Sequence, residues 1–415
     1  MKKTILSLFL VTVIAGFAAL AESMGKRNAE VGQVDYRLEK ALSLPPAWTA
    51  VHLGDERPTV VAAEESITFL APSGQERKTV RCARHSDVFI SKGGGYVGVR
   101  ELGAPPEDTR APRVLSFTLY DHEGRKLWSA GRRLEYDDPL PGFSISSAGR
   151  VVMVESPQGV LSFYDHRGSV DLRVSLFPDA LWMNERSMAF DFSGDGARFI
   201  VNALETHPRL GDGMTPRRPG QSVLVLFDAR GTELWRKKLD SELPAGVAIS
   251  EHGDAIAAGG YTVKGLNVVE QSTFLYDGQG ELLTDLAVPF RFADFSNDGT
   301  FLLLGRKSQL HLVQTTPGKI LWERSLPGES GQLRTLALSS DGGLILALQA
   351  PGGYRNSRFV YTHPRISVLD HSGHQIWQGD FPEDSFLRPA AGFLKDGISI
   401  FTAFTGRFLI YAPEK

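Results

Sequence analysis

Aspartate is the residue of this chain whose repetition most suggests chemistry. Five aspartates each end a hydrophobic run and have a glycine three residues later; they are Asp121, Asp165, Asp228, Asp277 and Asp370. A ring of carboxylates could bind a cation or serve as acid and base. However, an Asp just before a tight turn accepts hydrogen bonds from the next backbone N–H groups, and the Gly supplies a positive φ. We therefore predict that these residues shape turns.

Tryptophan also recurs at one position of the sequence pattern. Trp128, Trp235 and Trp377 each follow one of these turns, and Trp322 follows the equivalent turn at Gly318. Such rings could stack on a quinone cofactor if they faced a central cavity. Their recurrence in separate units favours the other function of a large ring, which is to pack against a neighbouring sheet.

Metal and nucleophile motifs are weak in this sequence. Residues 191–196 match the opening of a calcium loop, but its twelfth position is Asn202 where the loop needs a bidentate Glu. Cys82 is the only cysteine, which excludes an internal disulfide, and its neighbours predict a buried strand. The Gly-x-Ser-x-Gly, His-Glu-x-x-His and Gly-Lys-Ser/Thr motifs are missing. The sequence thus predicts no catalytic residue, metal or cofactor and favours a non-enzyme.

The predicted turns belong to a two-part repeat that runs along most of the chain. One part is a hydrophobic run closed by Ser-x-Asp-Gly, as in residues 295–299, and the other is the aromatic-Asp turn. The aromatic-Asp or equivalent turns contain Gly74, Gly124, Gly168, Gly231, Gly280, Gly318 and Gly373. The Ser-x-Asp-Gly turns, whole or degraded, contain Gly95, Gly149, Gly196, Gly253, Gly299, Gly342 and Gly397. The parts alternate with a period of about fifty residues, which is typical of propeller blades.

Each repeat unit predicts four short strands. In the fourth unit these are residues 188–192, 197–203, 222–227 and 233–238, rich in Val, Leu, Ile and Phe. Only residues 36–44 have a helical period. We therefore predict an all-β fold, a β-propeller of four-stranded antiparallel blades.

The ends of the repeat predict how the ring closes. Residues 59–81 read as the second half of a blade and residues 390–412 as the first half, so that joining the N- and C-terminal strands completes one blade. This pairing favours seven blades. Residues 408–411 resemble a further third strand, which leaves eight blades as the alternative.

At this point the pattern resembles a known superfamily of propellers. The Ser-x-Asp-Gly turns are similar to those of WD40-like propellers, including periplasmic TolB-type proteins. Residues 318–323 resemble the Gly-Lys-x-x-Trp turn of pyrroloquinoline-quinone (PQQ) repeats. The resemblance covers residues 58–412 and implies an exported bacterial β-propeller. PQQ-dependent alcohol dehydrogenases carry a vicinal cysteine pair that one cysteine cannot supply.

The N-terminus predicts export. Lys2 and Lys3 precede an apolar run, and Ala19-Leu20-Ala21 provides a small-x-small cleavage site, so residues 1–21 read as a signal peptide cleaved after Ala21. An uncleaved anchor is the alternative. We expect a periplasmic or secreted protein, with residues 22–57 as an arm or linker. The net charge of −3 argues against nucleic-acid binding.

Long insertions between the second and third strands predict the binding face. They span residues 102–113, 204–221, 260–271 and 349–365, and two of them are rich in Arg and Tyr, which favour protein interfaces and anion binding. The candidate residues are Arg110, Arg113, His207, Arg209, Arg217, Arg218, Tyr354, Arg355, Arg358, Tyr361, His363 and Arg365. The alternatives are that the charges only keep the loops soluble, or that His207 and His363 bind a metal.

These patterns predict a non-catalytic exported propeller. We expect it to bind another protein, or an anionic ligand, on the insertion face, as a scaffold or part of an envelope complex. The alternative is an enzyme or enzyme subunit that resembles quinoprotein amine dehydrogenase or lactonase propellers. Polar groups converging on the central channel would favour that alternative.

Overall fold

A computed structural model describes residues 34–414 apart from 44–47, 54–57, 64, 72–74, 84–85, 93, 104–110, 136–137, 156–158, 178–187, 206–220, 265–266, 329–330 and 356–357. The described residues form strands and turns without an α-helix. They build eight four-stranded sheets and one three-stranded sheet. The all-β prediction is confirmed. No helical segment among these residues could cross a membrane.

The first strand among the described residues, β1, is Tyr36–Ser43. Blade 1 contains β2 (Trp48–Leu53), β3 (Pro58–Ala63), β4 (Ser66–Leu70) and β5 (Glu76–Arg81). Blade 2 contains β6 (Asp87–Ile90), β7 (Tyr96–Leu102), β8 (Arg113–Asp121) and β9 (Lys126–Leu134). Blade 3 contains β10 (Gly142–Ile145), β11 (Val151–Glu155), β12 (Val160–Tyr164) and β13 (Val170–Ser175). Blade 4 contains β14 (Met188–Phe192), β15 (Arg198–Glu205), β16 (Gln221–Asp228) and β17 (Glu233–Lys238).

The second half of the chain continues the pattern. Blade 5 contains β18 (Leu243–Ile249), β19 (Ala255–Lys264), β20 (Asn267–Asp277) and β21 (Leu282–Leu286). Blade 6 contains β22 (Phe292–Phe295), β23 (Phe301–Arg306), β24 (Gln309–Gln314) and β25 (Lys319–Ser325). Blade 7 contains β26 (Gln332–Leu338), β27 (Leu344–Ala350), β30 (Arg365–Asp370) and β31 (Gln375–Asp380), and a hairpin of β28 (Gly352–Arg355) and β29 (Arg358–Thr362) interrupts it. After β32 (Ser385–Phe386), blade 8 contains β33 (Ala391–Phe393), β34 (Ile400–Phe404) and β35 (Arg407–Pro413).

Each blade is an antiparallel meander, whose strands we name A to D in spatial order. The A strands of successive blades contact one another, as β14 does with β18 and β18 with β22, so they line the inside of the ring. This order places the A–B and C–D turns on one face of the ring. The B–C and D–A connections lie on the opposite face.

The repeated Asp and Gly residues form the turns that the sequence predicts. In the C–D turn of blade 2, Oδ1 of Asp121 accepts hydrogen bonds from the backbone N–H groups of Glu123 and Arg125, both at 2.9 Å, and Gly124 has a φ of +76°. In the A–B turn of blade 6, the Ser296 hydroxyl donates to Asp298 at 2.6 Å, and Asp298 accepts from a backbone N–H group. These carboxylates are occupied by the backbone, which confirms their structural role.

The repeated Trp side chains pack between blades, as predicted. The Trp235 and Trp322 rings lie over Gly280 and Gly373, the glycines of the next blade's C–D turn. Their indole N–H groups donate to backbone carbonyls of those same turns, at 3.2 Å and 2.7 Å. A Cβ at either glycine would lie 2.9 to 3.1 Å from the ring, so glycine permits this close contact.

The hydrophobic core is a ring of interfaces between neighbouring blades. Phe163 of blade 3 packs with Phe199 and Phe227 of blade 4, and Ile200 of blade 4 with Ile256 of blade 5. The series closes on itself, because Val61 of blade 1 belongs to the same buried cluster as the strands of blade 8. Burial is therefore distributed around the whole ring.

The N-terminal strand closes the ring in a way that corrects the sequence-based reading. Strand β1 pairs with β35 from Tyr36↔Pro413 to Ser43↔Arg407 and is the outer strand of blade 8. Residues 48–81 form a complete blade of their own, since β2 pairs with β3. The predicted joining of the N- and C-terminal strands is confirmed. The number of blades is eight rather than seven, which is the alternative that residues 408–411 suggested. Within the predicted arm at residues 22–57 lie strands β1 and β2, and the described residues 36–43 are extended and not helical.

Candidate interaction face

Two of the insertions between strands B and C, those of blades 5 and 7, contain paired strands among their described residues. In blade 5 the predicted insertion 260–271 continues the β19–β20 ladder through Tyr261↔Gln271 to Lys264↔Asn267. In blade 7 the insertion 349–365 contains the β28–β29 hairpin. Residues 104–110 and 206–220, which hold most of the other two insertions, lie outside the described residues.

The blade 7 insertion forms a small sheet of its own, which we call the extension sheet (β28, β29 and β32). Strand β28 pairs with β29 through Gly352↔Tyr361 and Tyr354↔Phe359. Strand β32 joins from the connection to blade 8 through Tyr361↔Phe386. Among the described strands β28 is the outer one and has no partner on its far side. The B–C and D–A connections of one blade thus build a single unit.

Four aromatic rings cross one face of the extension sheet, and we call them the aromatic row. Tyr354 and Phe359 meet edge to face at 5.2 Å, Phe359 and Tyr361 at 5.3 Å, and Tyr361 stacks on Phe386 at 5.0 Å. Exposure increases along the row, because Phe386 is fully buried, Phe359 is 43% exposed and Tyr354 is 79% exposed. The row is therefore anchored in the propeller and presents its outer rings to solvent.

A guanidinium group is stacked on the aromatic row. The Arg334 guanidinium lies 4.4 Å from the Tyr361 ring centroid, and its Nε donates to the Ala350 carbonyl at 2.7 Å. Burial, and the nearby charge of Arg291, lower the pKa of Arg334 despite the counteracting influence of Tyr361. Arg355 lies beside Tyr354 on the exposed tip. The surface is therefore aromatic and cationic together.

The structure places the predicted site residues in different surroundings. Tyr354, Arg355 and Tyr361 come together on the extension sheet, and Arg358 pairs with Arg355 in the backbone register. Arg365 is engaged by Asp380 at 2.5 Å, and Arg113 donates to the Gly103 carbonyl at 3.3 Å. His363 is exposed at a φ of 49°, with its backbone N–H on the Asp384 carbonyl. The remaining candidates lie outside the described residues: Arg110, His207, Arg209, Arg217 and Arg218.

The sequence reasoning missed three members of this surface. Phe359 lies within the predicted insertion and alternates with Tyr361, a two-residue period that signals a strand. Arg334 and Phe386 lie in other segments: Phe386 joins the buried end of the aromatic row through the pairing of β32 with β29, and Arg334 joins it by stacking on Tyr361. No local pattern could have assigned them.

Polar groups also meet inside the ring. The Lys92 ammonium, in the A–B turn of blade 2, lies 2.8 Å from Oδ2 of Asp191 in blade 4 and donates to the Phe192 carbonyl at 2.7 Å. Asp294 of blade 6 occupies the motif position equivalent to Asp191, two residues before the Ser, and accepts the Leu338 N–H at 2.8 Å. Burial raises the pKa of Asp294 to about 6, although the Leu338 hydrogen bond and Lys92 oppose the shift. The lysine thus links blades across the ring.

Comparisons with known proteins bear on the fold. No protein-family model matches the chain, and a search of curated proteins finds no match. The chain resembles the crystal structure of the C-terminal WD40 domain of Sif2, with a TM-score of 0.54 and 10% identity over 92% of this chain and 99% of that one. The fold is that of a WD40-like β-propeller. A crystal structure of the eukaryotic initiation factor also aligns, with a TM-score of 0.47 and 12% identity over 86% and 92% of the two chains.

Proposed function

We propose that this propeller is a non-catalytic binding protein that holds another protein on its extension sheet. The observation that carries the proposal is the aromatic row, whose outer rings are exposed while its inner end is fixed in the core. Aromatic and Arg side chains dominate the binding energy of protein interfaces. Rings that are already ordered by their neighbours lose little conformational entropy when a partner covers them.

The charges of the surface define the partner. Arg291 and Arg355 are exposed, and Arg334 is half-buried against Tyr361. Because Arg binds carboxylates through paired hydrogen bonds, the partner surface should be acidic around an apolar centre. The edge of β28, unpaired among the described strands, offers a further contact, since an extended segment of the partner can add to it as a strand.

We place the protein in the bacterial envelope, as a scaffold or as a component of an envelope complex. Support comes from the sequence of residues 1–21, whose charged start, apolar run and small residues have the order of an export signal.

The catalytic alternative has one observation in its favour, the polar groups inside the ring. Lys92 is, however, already bound by Asp191 and by a backbone carbonyl. A lysine held in this way ties blades together and is poorly placed to attack a substrate. The interior cluster therefore supports the ring, and binding remains the proposed function.

Affinity capture from the native envelope tests the proposal. The captured partner would be purified and titrated against wild type, Arg355→Glu and the control Arg230→Glu, an exposed arginine of a C–D turn on the opposite face. We expect Arg355→Glu to weaken binding at least tenfold and Arg230→Glu to leave it unchanged. The proposal fails if wild type captures no specific protein, or if the two variants behave alike.

A further inference from the structure

A cavity of about 360 Å³ lies between blades 2 and 3, away from the extension sheet. Strands β8 and β9 of blade 2 form one side, and β10 to β13 of blade 3 form the other. Its volume falls at the lower end of the range found for small-molecule sites, roughly 300–1,000 Å³.

Aromatic rings form the apolar walls of this cavity. Phe117 and Phe143 stack at a centroid distance of 4.2 Å and an angle of 9°, and Trp128 and Tyr164 stack at 5.5 Å and 21°. Met153 completes the lining with a polarisable thioether. A flat ring would meet matching aromatic surfaces here, which favour offset stacking.

The other end of the cavity is charged. Glu155 is buried, and its Oε2 binds Arg132 at 2.7 Å and Arg173 at 2.8 Å. The three side chains carry one net positive charge. Both guanidinium groups contact the same oxygen, Oε2 of Glu155. Since each guanidinium has five N–H donors, donors remain for a second carboxylate.

Trp128 differs from its counterparts in other blades. The indole N–H groups of Trp235 and Trp322 donate to the next blade's turn, whereas that of Trp128 is buried without a partner among the described residues. Gly168 meets Cβ, Cγ and Cδ2 of Trp128, whereas the equivalent glycines meet Cδ2 and Cε2 of their Trp, the two atoms shared by the indole rings. The Trp128 ring is therefore shifted relative to its glycine, and it lines the cavity. A buried N–H group without a hydrogen bond costs free energy of folding. Such a cost calls for an explanation, and a binding site at the cavity supplies one.

We propose that this cavity binds a small aromatic carboxylate. The ring of the ligand packs against Trp128 and Phe143, and its carboxylate binds Arg132 and Arg173 beside Glu155. A cationic ligand is disfavoured because two arginines face it, and a neutral one leaves their free donors unused. The site lies apart from the extension sheet, so this inference stands independently of the proposed protein partner.

Three probes with one ring system test the ligand class on the full chain by calorimetry: 2-naphthoate, 2-naphthylmethanol and the 2-naphthylmethylammonium ion. We expect saturable binding of naphthoate, at least tenfold weaker binding of the alcohol, and no binding of the ammonium ion. Absence of saturable naphthoate binding, or equal binding of acid and ammonium ion, overturns the proposal.

Two variants and a matched control locate the site. Trp128, Ala130 and Arg132 lie on the cavity side of β9 by strand alternation, so Ala130→Leu fills the cavity and Arg132→Gln removes one guanidinium. Arg133 is exposed, lies on the other side of the strand and does not line the cavity, so Arg133→Gln is the charge-matched control. We expect each of the first two variants to bind naphthoate at least tenfold more weakly than wild type. The control should bind it as wild type does. Unchanged binding by folded Arg132→Gln refutes the site.

Discussion

The Asp294 carboxyl inside the ring gives the sharpest energetic prediction. Burial raises its pKa from 3.8 to about 6, against the opposing Leu338 hydrogen bond and Lys92 charge. The folded state therefore holds a proton that the unfolded chain releases near pH 4. The free energy of unfolding should fall as pH rises from about 4 to 6 and then stay at the lower value.

The size of this penalty follows from the shift. A shift of two pKa units corresponds to about 3 kcal/mol, and because part of the side chain remains accessible we take about 2 kcal/mol. Asp294→Asn keeps an oxygen for the Leu338 N–H and is neutral at every pH. We expect the variant to be about 2 kcal/mol more stable than wild type at pH 8, and equally stable at pH 3.5.

Asp298, four residues later, is the matched control. Desolvation raises its pKa, but hydrogen bonds from Ser296 and Thr300 outweigh that effect and hold the pKa below 3.8. Its stabilisation is present above pH 3.8 and is lost as pH falls through the folded pKa. Asp298→Asn should therefore destabilise the protein at pH 8, by about 1 kcal/mol.

Urea unfolding of wild type and both variants at pH 3.5 and pH 8 measures these differences. If Asp294→Asn destabilises the protein at pH 8, the Lys92 attraction exceeds the cost of burial and the reasoning is wrong. It is also wrong if the advantage of Asp294→Asn is the same at both pH values.

Three further predictions concern packing. Tyr36→Ala, which removes the β1 ring that contacts Trp377 of blade 7 at 5.4 Å, should cost about 3 kcal/mol in urea unfolding. Gly352→Ala should loosen the extension sheet in hydrogen exchange because a Cβ would lie 2.7 Å from the Phe359 ring, whereas Gly353→Ala enters open space and should not. Trp322→Phe should cost about 1 kcal/mol more than Trp128→Phe, because only the former loses an indole hydrogen bond.

Each of these three predictions has a contradicting result. A Tyr36→Ala variant as stable as wild type would show that β1 does not fasten the ring. Equal exchange in the two glycine variants would show that the rings do not depend on Gly352. Equal costs for the two tryptophans would show that the Trp128 N–H has a partner after all.

The fold was largely predictable because turn chemistry is local. An Asp that binds its own turn, with a glycine at +3, repeats in sequence wherever it repeats in space. The blade count was harder. Strand β1 has Tyr36 as its one buried residue, and its charged exposed positions carry no clear strand period. Its conformation is set by pairing with β35, at the far end of the chain. No sequence window contains that information.

The candidate site was predictable only in part. Tyr354 and Tyr361 were recognised because Arg and Tyr cluster in one insertion. Phe386 and Arg334 were not predicted, since Phe386 joins the aromatic row by strand pairing and Arg334 joins it by stacking on Tyr361, both from segments distant in sequence. The pairing of Lys92 with Asp191 was equally hidden, because the two residues meet only across a closed ring.

The central claim is that the extension sheet contacts a protein partner. Photo-crosslinking in the native envelope tests it most directly, with p-benzoylphenylalanine placed at Tyr354 or, as control, at exposed Gln279 in a turn of the opposite face. The account predicts one discrete crosslinked protein from position 354 and none from position 279. Crosslinks from position 279 alone, or no crosslink from position 354, would contradict it.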